Sequence, residues 1–288
     1  MKLRPQALLM NTMPSTTDTS TAPASAPAPR PPSQLPPQPP STSAPQSQHL
    51  ARGRSGPATG FRLSIAAFAV VMIAGSIPTP LYVLYQTRDH FGTGMLTVAF
   101  ALYAVGVLTS LLAGGHLSDQ LGRRQLTLTA VGVQLLSCAV FVSSTALAAL
   151  LLGRVLSGLS IGLLTGAATA HAGELHAAAR PTAPTRRAER SAAAANLGGI
   201  AFGPLLAGVL AQYAPLPLRL PYLVLSALLI LAAIAVFIAP ETRARAASPN
   251  LRPQGLALPE RRRGRFLAAA FGALVAFALF GLFSAMAV

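Results

Sequence analysis

One cation lies well inside an apolar stretch of this sequence: Arg154, with Gly158 and Gly162 following it at four-residue steps. A guanidinium in hydrocarbon is costly, so such a residue marks an ion or substrate pathway unless its long side chain snorkels to the nearer interface. Both readings stand on sequence alone. The glycines, with Gly166 one further step on, line one helical face and make a groove that admits a neighbouring helix.

A second group of reactive residues is packed into a turn between two apolar windows, Gly115-His116-Leu117-Ser118-Asp119-Gln120-Leu121-Gly122-Arg123-Arg124. Gly115 lets backbones approach, Gly122 permits a tight turn, and Asp119 can accept hydrogen bonds from guanidiniums or from a helix N-terminus. The cluster can latch one helix end to another. The plainer account is a basic turn whose surface ion pairs contribute about 0 to 1 kcal/mol.

Backbone irregularity points to two further places. Pro78 and Pro80, flanking Thr79 and followed by Tyr82 and Tyr85, free carbonyls near one end of the first window; such breaks line transport sites, and equally can anchor a helix end at the interface. Gly203-Pro204, within the series Gly199, Gly203 and Gly208, creates a bend because proline removes a helical hydrogen bond. Tyr103, Gln134 and Asn196 are the remaining polar candidates for a cavity wall, each also explained as an interhelical hydrogen bond.

Absences narrow the chemistry. No Asp or Glu sits deep in an apolar window: Asp89, Asp119, Glu174, Glu189, Glu241 and Glu260 all fall at ends or in loops. A proton carrier must therefore be a border group such as Glu174 or His171, whereas His116 reads as an interfacial bystander. The sequence carries no Walker loop, zinc-protease helix or nucleophile elbow, so catalytic residues, a metal site and a cofactor are not expected. The single cysteine, Cys138, excludes an internal disulfide and reads as a small packing residue open to crosslinking if the chain dimerises. Oligomeric state is left open.

These residues must be positioned by membrane helices. Hydrophobic residues make up 52% of the chain and charged ones 10%, and apolar windows recur near 61–85, 95–117, 125–144, 146–171, 192–213, 220–239 and 266–288. Each matches the roughly 20 residues that cross a hydrocarbon core, so the fold class is all-α integral membrane, embedded in a lipid bilayer. The formal net charge of +15 would suggest nucleic acid in a soluble protein, but here the basic residues separate apolar windows without aromatic interleaving. Nucleic-acid binding is not expected. Apart from Arg88, Arg154 and Arg219, every Lys and Arg lies in the stretch up to and including Arg62 or in segments 118–124, 172–191 and 240–265, which places the N-terminus and those loops in the cytoplasm. Residues 1–60, rich in Pro, Ser and Ala, lack a buryable run and are expected to be a disordered tail, or a mis-assigned start.

The turn at 115–124 resembles a loop of the major facilitator superfamily, Gly-x-Leu-x-Asp-Arg-x-Gly-Arg-Arg, from which Gln120 alone departs. Arg154-Val155-Leu156-Ser157-Gly158-Leu159-Ser160-Ile161-Gly162 is similar to the family's fourth-helix pattern, and Gly199-Ile200-Ala201-Phe202-Gly203-Pro204-Leu205-Leu206-Ala207-Gly208 to a fifth-helix pattern of its proton antiporters, with Ala207 departing. Pro240-Glu241-Thr242 resembles the close of its sixth helix. The resemblance implies a six-helix N-terminal bundle over 61–239, a basic linker 240–265, a seventh helix 266–288 and a missing second half. It also implies Gly115, Asp119, Gly122, Arg123 and Arg124 as a conformational gate, Arg154, Gly158 and Gly162 in proton coupling, and Gly199, Gly203, Pro204 and Gly208 as an antiporter-like bend. Pro78, Thr79, Tyr82, Tyr103, Gln134 and Asn196 are the candidate cavity residues. The expected function is a secondary active transporter of the plasma (inner) membrane, exporting a small-molecule drug or metabolite against protons. The competing expectations are a truncated module that binds a partner or is degenerate, and a half-transporter that self-assembles.

Overall fold

Inside a bilayer the backbone has no water to bond, so each apolar window must close its hydrogen bonds within itself as a helix. The computed structural model describes residues 55–90 and 92–242 together with Gly264, Leu267, Ala268, Phe271, Gly272 and Val275; of residues 93 and 113–120 it describes the backbone alone. Over the continuous part it contains α1 (Pro57–Ser76), α2 (Pro78–Asp89), α3 (Thr93–Leu121), α4 (Arg123–Ser143), α5 (Leu147–Ala179), α6 (Arg186–Tyr213) and α7 (Leu220–Ile238). With α1 and α2 taken as one span, six are long and apolar enough to cross a membrane. The expected seventh span 266–288, most of the linker 240–265 and tail residues 1–54 lie outside the described residues.

Helix boundaries depart from the apolar windows where amphipathic turns extend them. The segment expected as a loop from 172 to 191 shrinks to 180–185, because Ala172, Leu175 and His176 on α5 and Ala188 on α6 are buried and keep one face of each helix packed. Pro57 to Gly60, expected in the tail, form the first turn of α1, with proline where its missing N–H costs nothing. The turn between α3 and α4 is Gly122 alone, at φ 93° and ψ 149°. Only glycine adopts that conformation without strain.

In lipid the apolar faces gain nothing by leaving hydrocarbon, so close packing of small residues decides which helices touch. The longest helix, α5, packs against α3, α4 and α1, while α1 also contacts α6 and α7. Where α3 crosses α5, a Cβ added to Gly106 would lie 2.7 Å from the Val155 carbonyl oxygen, and one added to Gly158 only 2.2 Å from that of Tyr103. Gly199 and Gly203 seat α6 on α1 in the same way, their added Cβ atoms falling 2.5 Å from Met72 Cβ and 2.6 Å from the Ile73 carbonyl. Ala207, fully buried, continues that stripe. Two glycines stand apart: Gly166 and Gly208 have open space where a Cβ would be, so neither belongs to a helix-packing groove. Phe141 of α4 stacks on Tyr222 of α7 with centroids 4.5 Å apart, and Gly153 of α5 leaves room for the Phe141 ring.

Candidate functional site

A cavity of about 560 Å³ opens among α1, α2, α3, α5 and α6. Its size lies in the range of small-molecule sites, and its wall is apolar apart from a few convergent polar groups. Arg154, Thr79, Tyr103 and Asn196 all line it, as do Ser76, Phe100 and Thr165.

Arg154 turns inward rather than snorkelling and is only 1% exposed. Its Nη1 donates to the Gly75 carbonyl at 3.1 Å, and its guanidinium carbon lies 4.6 Å from the Tyr103 ring centroid and 5.4 Å from that of Tyr82. Two desolvated cation–π contacts are worth about 2 kcal/mol each, against an effective burial penalty of several kcal/mol for the ion. The site holds the charge close to balance without a counter-ion: among the described residues no carboxylate pairs with Arg154, and its Nε has no hydrogen-bond partner.

The acceptor that Arg154 uses lies two residues before an interruption in the first span. Pro78 and Pro80 lack the N–H groups that would bond the Ala74 and Ser76 carbonyls on either side of Gly75, so the hydrogen-bond ladder is interrupted at Ile77, whose backbone stays helical at φ −56° and ψ −41°. Close approach completes the arrangement, since a Cβ on Gly75 would lie 2.1 Å from Ile161 Cδ1 of α5. Pro204 acts similarly on the facing wall, withdrawing the helical donor from the carbonyl of Ile200, itself a lining residue.

Other residues singled out by sequence fall elsewhere. Pro78 is buried at the helix break, and Tyr82, also buried, meets the cavity only through Arg154. Gln134 is buried between α4 and α5, where its Oε1 accepts from Ser157 Oγ at 3.3 Å. It is interhelical glue beside Ser137, whose Oγ donates to the Gly153 carbonyl at 2.8 Å. Gly158 and Gly162 hold α3 against α5 and so set the depth at which Tyr103 meets Arg154. Phe100, missed from sequence, stands one turn before Tyr103 with ring centroids 6.1 Å apart; the three-residue spacing of two aromatics was the available signal.

A second constellation gathers at the end of the bundle that carries Arg123 and Arg124. Arg123 Nε pairs with Glu174 Oε1 at 3.3 Å, and the other Glu174 oxygen accepts from the Thr242 hydroxyl. Glu241 Oε1 accepts from the Arg124 backbone N–H at 3.2 Å, capping the N-terminus of α4 where the helix dipole favours an anion. The Arg124 guanidinium donates to the Phe237 and Ala239 carbonyls at 3.5 and 3.4 Å, satisfying the C-terminus of α7. His171 Nε2 lies 3.0 Å from the Pro240 carbonyl, which can only accept, so Nε2 carries the proton and Nδ1, 3.4 Å from Ser64 Oγ, accepts from that hydroxyl. Pro240-Glu241-Thr242 is thus the hub tying α1, α4, α5 and α7. In sequence it was legible only as the close of a helix, because its partners are distant along the chain. Gly122 forms the turn described above, whereas the contacts of Gly115 and Asp119 lie outside the described side chains.

Helical spans, a cavity among them and the glycine turn before paired arginines form the setting in which residues 63–288 match the family model of the Major Facilitator Superfamily. The chain belongs to this superfamily. Among solved structures it is similar to the crystal structure of the human organic anion transporter MFSD10 (TETRAN), with 20% identity and a TM-score of 0.48, covering 72% of this chain and 52% of that one. This superfamily member therefore spans about half the length of that solved relative. No curated protein matches it.

Proposed function

We propose that this bundle forms the amino-terminal half of a secondary active transporter, which exports a small organic solute by alternating access against protons. The observation that carries the reading is Arg154, a buried cation with no carboxylate partner among the described residues, in the wall of a cavity and hydrogen-bonded to Gly75 two residues before the break in the first span. A solute that draws the guanidinium away from Gly75 changes the support of that break, linking occupancy to helix movement. Gly115, Asp119, Gly122, Arg123 and Arg124 act as the conformational gate, and the Glu174 and Pro240-Glu241-Thr242 contacts are the clasp that the gate makes and breaks. His171 and Glu174, the titratable groups of α5 at that clasp, carry the coupled proton. The Gly199, Gly203 and Ala207 stripe supports it by letting α6 move along α1 without side-chain interlocking. Arg123, Arg124 and the basic connections face the cytoplasm, with the chain in the plasma (inner) membrane, as the distribution of Lys and Arg supports.

The test is reconstitution of the chain into liposomes with an acidic, dye-loaded lumen. Addition of a transported solute dissipates the proton gradient; Asp119→Asn and Arg154→Gln abolish that response while still inserting. A wild-type response that survives Arg154→Gln undiminished overturns the reading.

A further inference from the structure

The chemistry around Arg154 says what kind of solute the cavity accepts, a step that rests on the cavity being the transport site. Three observations bear on it. The guanidinium is desolvated, its Nε has no hydrogen-bond partner among the described residues, and its Nη1 is engaged by a neutral backbone carbonyl, so the site holds a full positive charge and an unused donor. Among the described residues that line the cavity none is acidic, and a carboxylate engaging Nε with Nη1 or Nη2 would form the charge-assisted fork that guanidiniums favour. Around this point the wall is aromatic and aliphatic, with Phe100 and Tyr103 tilted at 43° to each other and Met72, Val107 and Ile161 beyond.

We propose that the cavity selects monovalent organic anions with a flat apolar body, the anionic group seated on Arg154 and the body against Phe100 and Tyr103. A cationic solute meets like charge in a desolvated site, and a neutral one leaves the Nε donor unsatisfied; both are discriminated against. Small hydrophilic anions such as acetate lack the surface to fill the cavity. Anion binding also competes with the Gly75 carbonyl for the guanidinium, so the charged group of the solute is what loosens the break in the first span.

The experiment is equilibrium dialysis of the whole chain in lipid nanodiscs against empty nanodiscs, which subtracts partitioning into lipid. The probes are 2-naphthoate, its isosteric amide 2-naphthamide, and 2-naphthylmethylammonium, with acetate as competitor. The expected result is binding of naphthoate at least about tenfold tighter than the amide, no measurable binding of the ammonium, and no displacement by millimolar acetate. Arg154→Gln removes the preference for the anion over the amide, whereas Arg154→Lys keeps it in reduced form. Equal or tighter binding of the amide or the ammonium overturns the proposal, as does an anion preference that survives Arg154→Gln. Displacement by acetate as strong as by naphthoate refutes the role of the apolar body. The wild-type panel decides the charge by itself, so misfolding of a variant does not shelter the proposal. Binding requires no translocation: naphthoate binding without solute-driven proton movement sinks the transport reading alone, and proton movement with solutes of the opposite charge sinks this one alone.

Discussion

Three glycines of α5 share one spacing and should respond to the same substitution in different ways. In Gly158→Ala the new Cβ is built 2.2 Å from the Tyr103 carbonyl oxygen and 3.1 Å from the Val107 nitrogen, both backbone atoms that cannot rotate away. The helices must separate by on the order of 1 Å to restore contact distance, a gap that forfeits a quarter to a half of the dispersion well of each contact across the crossing. Overpacking of this kind costs about 1 to 3 kcal/mol. In Gly166→Ala the Cβ meets open space, and removal of a helical glycine is worth up to about 1 kcal/mol in the opposite direction. For a domain of this size each kcal/mol moves Tm by about 2 to 4 °C, so the two variants should fall on opposite sides of wild type and several degrees apart. The chain supplies its own reporter, because Cys138 is its single cysteine and is 1% exposed; a thiol-reactive dye followed on heating reads unfolding directly. Gly158→Ala should also weaken any ligand held at Arg154, since the Tyr103 ring moves with α3. Equal melting of the two alanine variants would refute the close α3–α5 crossing and the placement of Tyr103 that depends on it.

Other consequences concern the clasp and the core. A double-mutant cycle of Arg123→Gln and Glu174→Gln should give a coupling energy of about 1 kcal/mol, the upper end for a partly exposed pair; additive effects would mean that the 3.3 Å contact contributes nothing. His171→Ala should lower stability by about 2 to 5 kcal/mol, leaving both the Pro240 carbonyl and Ser64 without their partner, and His171→Gln, whose amide can still donate to that carbonyl, should recover part of it. If alanine and glutamine melt alike, the hydrogen bond is not what holds the clasp. Maleimide should leave Cys138 unmodified in the native protein and label it fully in SDS, and for the same reason thiol crosslinking, expected from sequence to report a dimer, cannot do so here without unfolding.

Much of this architecture is written along the chain itself. Hydrocarbon thickness sets the length of an apolar window and the unsatisfied backbone demands a helix, so the spans from 61 to 239 were legible from composition and spacing alone. Gly122 was legible too, because a turn squeezed between two spans needs a residue free of a Cβ. Arg154 was visible as an anomaly, but not the direction of its side chain: that was decided by a carbonyl 79 positions away at a break made by prolines and by two tyrosines on other helices. Gly158, Gly162 and Gly166 read identically in sequence, yet only the first two face a neighbour closely. The capping of α4 by Glu241 likewise joins residues 117 positions apart. Period, length and charge are local properties of the chain, whereas which face of a helix meets a partner, and which buried charge finds an acceptor, are set by helices remote in sequence that pack together only in three dimensions.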